Sequence, residues 1–188
     1  MAERHIRIAM NGVTGRMGRT QHLERSIMAI RRQGGVELPT GDRVVPEPVL
    51  VGRNPERLEA LAAEFGLDEW TTDVEAVLAD PDIDIYFDAQ LTSLRAEAVA
   101  AAIEAGKAVY CEKPLAEDSA TARDLLRRAE SAGVAHGIVQ DKLFLPGLLA
   151  LRRLLDSDFF GRILTVKGDF GYWVFEGDIE PPQRPAWN

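Results

Sequence analysis

The hydrophobic positions change rhythm along the chain. Short runs rich in Val, Ile and Tyr, at Ile6–Met10, Pro48–Val51, Ile83–Phe87, Ala108–Cys111 and Ala135–Val139, alternate with stretches whose apolar residues recur at i, i+3, i+4 and i+7. Leu58, Leu61, Ala62 and Phe65 fall on one helical face, as do Ala96, Val99, Ala100 and Ile103, and again Ala122, Leu125, Leu126 and Ala129. Asn54-Pro55 supplies a cap followed by proline at the first helical position, and Gly66, Gly106 and Gly133 stand where these helices should stop. Such alternation predicts an α/β fold, a doubly wound parallel sheet whose strands are joined by crossover helices. One stretch, QGGVELPTGDRVVPEP from Gln33 to Pro48, breaks the rhythm and reads as a surface insertion between the first helix and the second strand.

Composition narrows the partners. The chain has 188 residues, 46% of them hydrophobic, enough to bury a full core. Its 30 acids against 22 bases leave a net charge of -8, which argues against nucleic acid or an anionic membrane and for small molecules or protein. After MAERH the apolar run is far shorter than an export signal or a membrane span, so the expected location is cytoplasmic. The single cysteine, Cys111, excludes an internal disulfide framework. His5, His22 and His136 are too scattered to suggest a metal triad, and no metal is expected.

Candidate chemistry begins at IRIAMNGVTGRMG, where the first strand gives way to Gly12-x-x-Gly15-x-x-Gly18. A strand, a turn and a helix beginning near Arg16 bring backbone N–H groups and the positive end of a helix together, a site for phosphate. Gly12 permits the tight turn, Gly15 lets a pyrophosphate approach the backbone, and Gly18 allows close helix–strand contact. A turn with a close-packed helix would use the same glycines, but their position after the first strand favours a dinucleotide. Gly12, Thr14, Gly15, Arg16 and Met17 are the candidate contacts in this turn.

After the second strand an acid would grip the ribose hydroxyls of NAD. Here the sequence is VGRNPERL, with Gly52, Arg53 and Asn54 at that place and no acid before Glu56. Arg53 can pair with a 2′-phosphate and lie against adenine, and Asn54 sits beside it, so the expected cofactor is NADP, with NAD possible. A solvated arginine next to a helix cap is the plainer reading. Further on, the strand Ala108–Cys111 runs into Glu112-Lys113-Pro114 at an edge where open α/β sheets place ligands. An ammonium there can orient a substrate hydroxyl and hold or pass a proton, whereas a plain strand-to-helix loop would simply expose two charges.

The segment AGKAVYCEKPLAE, with the glycine turn before it and an amphipathic helix after it, resembles the signature of the Gfo/Idh/MocA family of nicotinamide-dependent oxidoreductases. That resemblance implies an amino-terminal Rossmann domain followed by a second α/β domain with an open sheet. It makes Lys113 the catalytic lysine, and Glu112, Lys113 and Gln140 are added to the candidate cofactor contacts. It implies a dehydrogenase or reductase moving hydride between NADP(H) and a hydroxyl or carbonyl of a sugar, polyol or related small molecule, and a homo-oligomer for the full-length protein.

Three departures accompany the resemblance. The turn has G-x-x-G-x-x-G in place of G-x-G-x-x-G and is also similar to the opening of dihydrodipicolinate reductases, whose histidine-rich segment does not occur here. Where many members carry a threonine with a histidine three residues later, TSLR puts Arg95. The aspartate and histidine that the family's second domain supplies have no match within 188 residues. The expectation is therefore a Rossmann domain over 1–140, then 141–188 as a connecting helix and the incomplete start of a substrate and oligomerisation domain. ILTVKGDFGYWVFEGD would be that domain's first long strand, with Gln140, Asp141 and Lys142 facing the nicotinamide end, unless Asp141 instead caps the following helix. Tyr172, Trp173 and Phe175 would pack or line the substrate side. A cofactor-binding sensor or regulatory protein without catalysis is the alternative.

Overall fold

The computed structural model describes residues 2–169 and Gly171. The chain divides into two compact units, Met1–Gln140 and Asp141–Asn188. The first opens with β1 (Glu3–Asn11), followed by a π-helix (Met17–Ile27) that continues as α1 (Met28–Arg32). Next come β2 (Val36–Glu37), β3 (Arg43–Val51), α2 (Pro55–Phe65), β4 (Trp70–Thr71) and α3 (Val74–Ala79). β5 (Ile85–Asp88), α4 (Thr92–Glu104), β6 (Ala108–Cys111), α5 (Ser119–Ala132) and β7 (His136–Ile138) complete it. The strands lie in the order β2-β3-β1-β5-β6-β7, with β4 also beside β3, and every pairing except β2 with β3 is parallel.

Two cores follow from the two-residue period of the strands. Ala9, Val49, Val51, Tyr86 and Val109 point to one face, where α3, α4 and α5 cover them with Val77, Val99, Ala102 and Leu125. Met10, Leu50 and Phe87 point to the other, covered by Leu23 of the π-helix and by Leu58, Leu61 and Ala62 of α2. Burial on both faces is why the strands read as near-continuous apolar runs. α2 keeps its expected cap: the Asn54 side chain accepts the Arg57 N–H at 2.8 Å, and Pro55 opens the helix.

The segment read as a surface insertion is instead part of the sheet. β3 begins at Arg43, pairs with β1 from Glu3↔Arg43 to Asn11↔Val51, and turns back on β2 as a short antiparallel hairpin. The sequence places a strand at Pro48–Val51, which is the second half of β3; the two prolines conceal its first half, and their placement explains how the strand tolerates them. Leu50 and Gly52 donate their N–H groups to Glu69 and Thr71 on the side away from β1. Pro46 and Pro48 share their parity, so the missing N–H groups fall on the stretch of edge between β2 and β4, where no ladder bond is lost.

In the second unit a 3-10 turn (Asp141–Phe144) leads to α6 (Pro146–Asp156), at the expected connecting helix, with Leu148, Leu149, Leu151, Leu154 and Leu155 exposed. Residues 163–169 form no strand, in contrast to the long strand expected there. A strand needs a neighbour for its N–H and C=O groups, and no described residue pairs with this one. Tyr172, Trp173 and Phe175 lie outside the described residues. Among the described residues no helix is long and apolar enough to cross a membrane.

Candidate functional site

The parallel register brings the strand ends level. Asn11 lies opposite Val51 and Asp88, Asp88 opposite Cys111, and Cys111 opposite Ile138. The next residues are tied in a row: Gly12 N–H donates to Val51 at 3.2 Å, Ala89 N–H to Asn11, Glu112 N–H to Asp88 and Val139 N–H to Cys111, each of the last three at 2.8 Å. Because the chain passes from β1 to β3 on one side and to β5 on the other, the crevice of a doubly wound sheet opens between β1 and β5.

Gly12 and Gly18 are required at that crevice by contact. Gly12 has φ +80°, and a Cβ on it would lie 2.7 Å from the backbone of Ala89 and of Gln90 across the crevice. A Cβ on Gly18 would lie 2.5 Å from the Gly12 carbonyl oxygen, so the π-helix can press onto the turn only without a side chain there. Gly15 closes the turn, donating to Gly12 at 3.1 Å and accepting from Arg19 at 2.8 Å. It is exposed and a Cβ would meet only that oxygen, at 3.3 Å, so its bare backbone leaves a surface a side chain would cover. Thr14 and Met17 are half-buried and Arg16 is exposed at the helix start. The first amides of a helix have no partner within it, and with this open turn they form a cradle that fits a pyrophosphate.

On the next strand over, Gly52 is buried and Arg53 and Asn54 are exposed. Asn54 is committed to the α2 cap, whereas the Arg53 guanidinium joins no hydrogen bond or ion pair among the described residues. Gln140 is exposed at the end of the first unit. Asp141 pairs with Lys142 at 3.1 Å, and the Lys142 hydrogen bond and charge, with local amides, hold its carboxyl below the usual range.

β6 lies two strand spacings from β1, about 10 Å at the usual separation of parallel strands, and its end is built from side chains. Glu112 is 6% exposed. One oxygen accepts from Nε2 of His22 at 2.6 Å, and the other accepts the Lys113 N–H at 3.1 Å. Burial pushes this carboxyl up, but the His22 hydrogen bond and charge, with the Lys113 amide and ammonium, hold it below the ordinary glutamate value. It is therefore an acceptor, and His22 carries the proton on Nε2. The His22 ring also packs on Phe87, centroids 4.6 Å apart.

Pro114, joined to Lys113 by a cis peptide bond, is held from the other side. Arg95, on the first turn of α4, is 2% exposed and donates to the Pro114 carbonyl, to Gln90 O at 2.6 Å and to Asp88 at 3.1 Å. Asp88 is fully buried and also accepts from Tyr86 OH, Gln90 N–H and Gln90 Nε2, while Asn11 donates to Tyr86 OH at 2.7 Å. Every donor in this knot ends on an acceptor, which is what makes so much buried polarity tolerable. Burial, opposed by Arg95, pushes the neighbouring Cys111 thiol up to about 11, leaving it un-ionised and unreactive. Lys113 itself is exposed between the two anchors, and its ammonium makes no hydrogen bond among the described residues.

Residues 6–139 match the model of an oxidoreductase family with an NAD-binding Rossmann fold. The chain belongs to the Gfo/Idh/MocA oxidoreductase family. Among curated members it is 54% identical to a D-xylose dehydrogenase of Paenarthrobacter nicotinovorans over 183 residues, 97% of this chain and 47% of that protein. It is 32% identical to a 1,5-anhydro-D-fructose reductase of Ensifer adhaerens over 79% of this chain and 42% of that one. A solved levoglucosan dehydrogenase in complex with NADH and levoglucosan superposes with a TM-score of 0.73 at 26% identity, over 86% of this chain and 42% of its own. The chain thus spans less than half the length of these relatives.

Two residues of this Gfo/Idh/MocA site were not identified as part of it from sequence. The scatter of His5, His22 and His136 along the chain gives no hint of it, yet His22 meets Glu112 across 90 positions of chain. Arg95 stands out in the sequence only as the residue where many family members have a histidine. Its place on the buried face of α4, in step with Val99, Ala102 and Ile103, was the signal available, since a buried arginine requires a partner acid and Asp88 lies just ahead of it.

Proposed function

We propose that this protein is a dehydrogenase that takes hydride from a hydroxyl-bearing carbon of a sugar or polyol onto NADP, with Lys113 as the group that meets the reacting oxygen. The observation that carries the reading is Lys113 itself: an exposed, uncommitted ammonium at the carboxyl end of β6, fixed on both sides and level with the glycine turn. The glycine turn and Arg53 hold the dinucleotide, which when bound supplies the hydride acceptor. The Lys113 ammonium donates a hydrogen bond to the substrate oxygen and lowers its proton affinity, so that the hydroxyl proton leaves to water as the carbon gives up hydride to the dinucleotide. The preference for NADP rests on the free Arg53 and on the lack of an acid between Val51 and Glu56. NADH in the related levoglucosan dehydrogenase favours NAD as the second reading. Similarity to a D-xylose dehydrogenase makes D-xylose the first substrate to try.

In the full-length protein, Lys113→Met should slow single-turnover hydride transfer from D-xylose to NADP by about 100-fold or more, while dinucleotide affinity changes little. Nicotinamide absorbance follows the first and equilibrium titration the second. An unchanged hydride step would reduce Lys113 to a loop charge and favour the non-catalytic reading.

A further inference from the structure

The cradle and the lysine are joined by one side-chain contact. His22 projects from the π-helix that begins at the glycine turn, and its Nε2 donates to Glu112, which belongs to the strand end two positions across the sheet. Glu112 uses its other oxygen to hold the amide of Lys113. The route from helix to lysine backbone is thus three groups long, imidazole, carboxylate and amide, in a setting where Glu112 is almost fully buried and His22 largely so. A carboxylate in that setting has little water around it: with His22 gone, its Oε1 would lose its donor, and the group would rotate toward another one and draw Oε2 away from the Lys113 amide.

We propose that His22 is a positioning residue for Lys113, and that its bond to Glu112 makes the helix that cradles the dinucleotide phosphate and the loop that carries the lysine move as one piece. The inference rests on the role given to Lys113 under Proposed function, although its first readout does not. In this arrangement His22 touches neither substrate nor nicotinamide. It fixes where the Lys113 backbone lies, and so from where the ammonium reaches. A displacement of about 1 Å at a reacting group can cost on the order of 100-fold in rate, so a bond this short in reach has leverage on the chemistry.

The test compares His22→Phe, which keeps a ring against Phe87 but cannot donate, with His22→Gln, whose amide can donate to Glu112. Amide hydrogen exchange read by NMR reports directly on the Lys113 N–H, and the next residue, a proline, has no amide to confuse it. In His22→Phe the Lys113 amide should exchange about tenfold faster or more, because the bond that protects it is loosened. The hydride step in the full-length protein should fall by about 10-fold to 100-fold while the NADPH dissociation constant stays within about threefold. His22→Gln should restore both quantities to within about threefold of the unaltered protein. Should His22→Phe not fold, His22→Asn, whose shorter amide stops short of Glu112, takes its place with the same expectations.

Unchanged Lys113 exchange on loss of the imidazole overturns the inference. So does a His22→Gln variant as impaired as His22→Phe, which would assign the ring to packing on Phe87 alone. Either result, with Lys113→Met still crippling hydride transfer, leaves the proposed function standing. An unimpaired Lys113→Met sinks that function and leaves the exchange result to decide the coupling by itself.

Discussion

At the end of β1 the site is made by leaving side chains out, and at the end of β6 by putting them in. The glycine turn works because a Cβ on Gly12 or Gly18 would collide with backbone at under 3 Å, so that main chain packs on main chain and amides are left facing outward. Around Lys113 the loop is held by Glu112 on His22 and by the Pro114 carbonyl on Arg95, each donor arriving from a different helix. The first kind of construction tolerates no added atom. The second tolerates exchange of any side chain that keeps the same donor in the same place. Anion binding, where the ligand is large and its charge diffuse, suits the first; placing one ammonium against one oxygen needs the second.

That contrast can be broken most severely at the turn. Gly12→Val would combine a left-handed φ with contacts at 2.7 Å on two backbone groups, and we expect a loss of about 2–6 kcal/mol of stability, measured by urea unfolding. Because the obstacle is backbone, Gly12→Ala should be nearly as harmful. A mild Gly12→Ala would show that the turn yields and that the two ends are built more alike.

A smaller effect is expected at Arg53, which holds nothing in the fold. Arg53→Ala should weaken NADPH by about 1–3 kcal/mol, the range of a charge-assisted contact, with melting temperature and NADH affinity nearly unchanged. Equal losses for both dinucleotides in parallel titrations would remove the 2′-phosphate from the explanation.

The smallest effect concerns acid. The folded-state pKa of Glu112 lies below its ordinary value of 4.5, so the unfolded chain binds more protons than the folded one between those two values. The stability this group contributes is full above about pH 4.5 and is lost as pH falls through the folded value. Glu112→Gln should flatten that limb, moving the acid-unfolding midpoint by less than about one pH unit. An acid limb identical in the variant would mean the His22 contact does not bias protonation.

How much of this was legible in the sequence follows the same division. Glycine is selected by residue type at a fixed offset from a strand, so the turn, like the periodic helices α2, α4 and α5, announces itself locally. The Glu112-Lys113-Pro114 loop was legible as a strand end beside a familiar motif. Its supports were not, because a hydrogen bond between residues 22 and 112, or 95 and 114, leaves no trace in local spacing. The first half of β3, ahead of the legible Pro48–Val51, was hidden for a related reason: proline is read as a strand breaker, and only the parity of Pro46 and Pro48 against the neighbouring strands, a property of the assembled sheet, reverses that. The two-residue strands β2 and β4 are too short for any period to show.

Those two prolines have a further consequence. The margin of β3 between β2 and β4 offers another chain no N–H to dock on: the donor positions are blocked at residues 46 and 48, and the Pro46 carbonyl already accepts from Arg31 at 2.8 Å. A stray β-segment, from a neighbouring molecule or from a nascent copy still folding, would find there a template without donors. The sheet thus carries its own terminator on that side, written in the residue type that hid the first half of the strand.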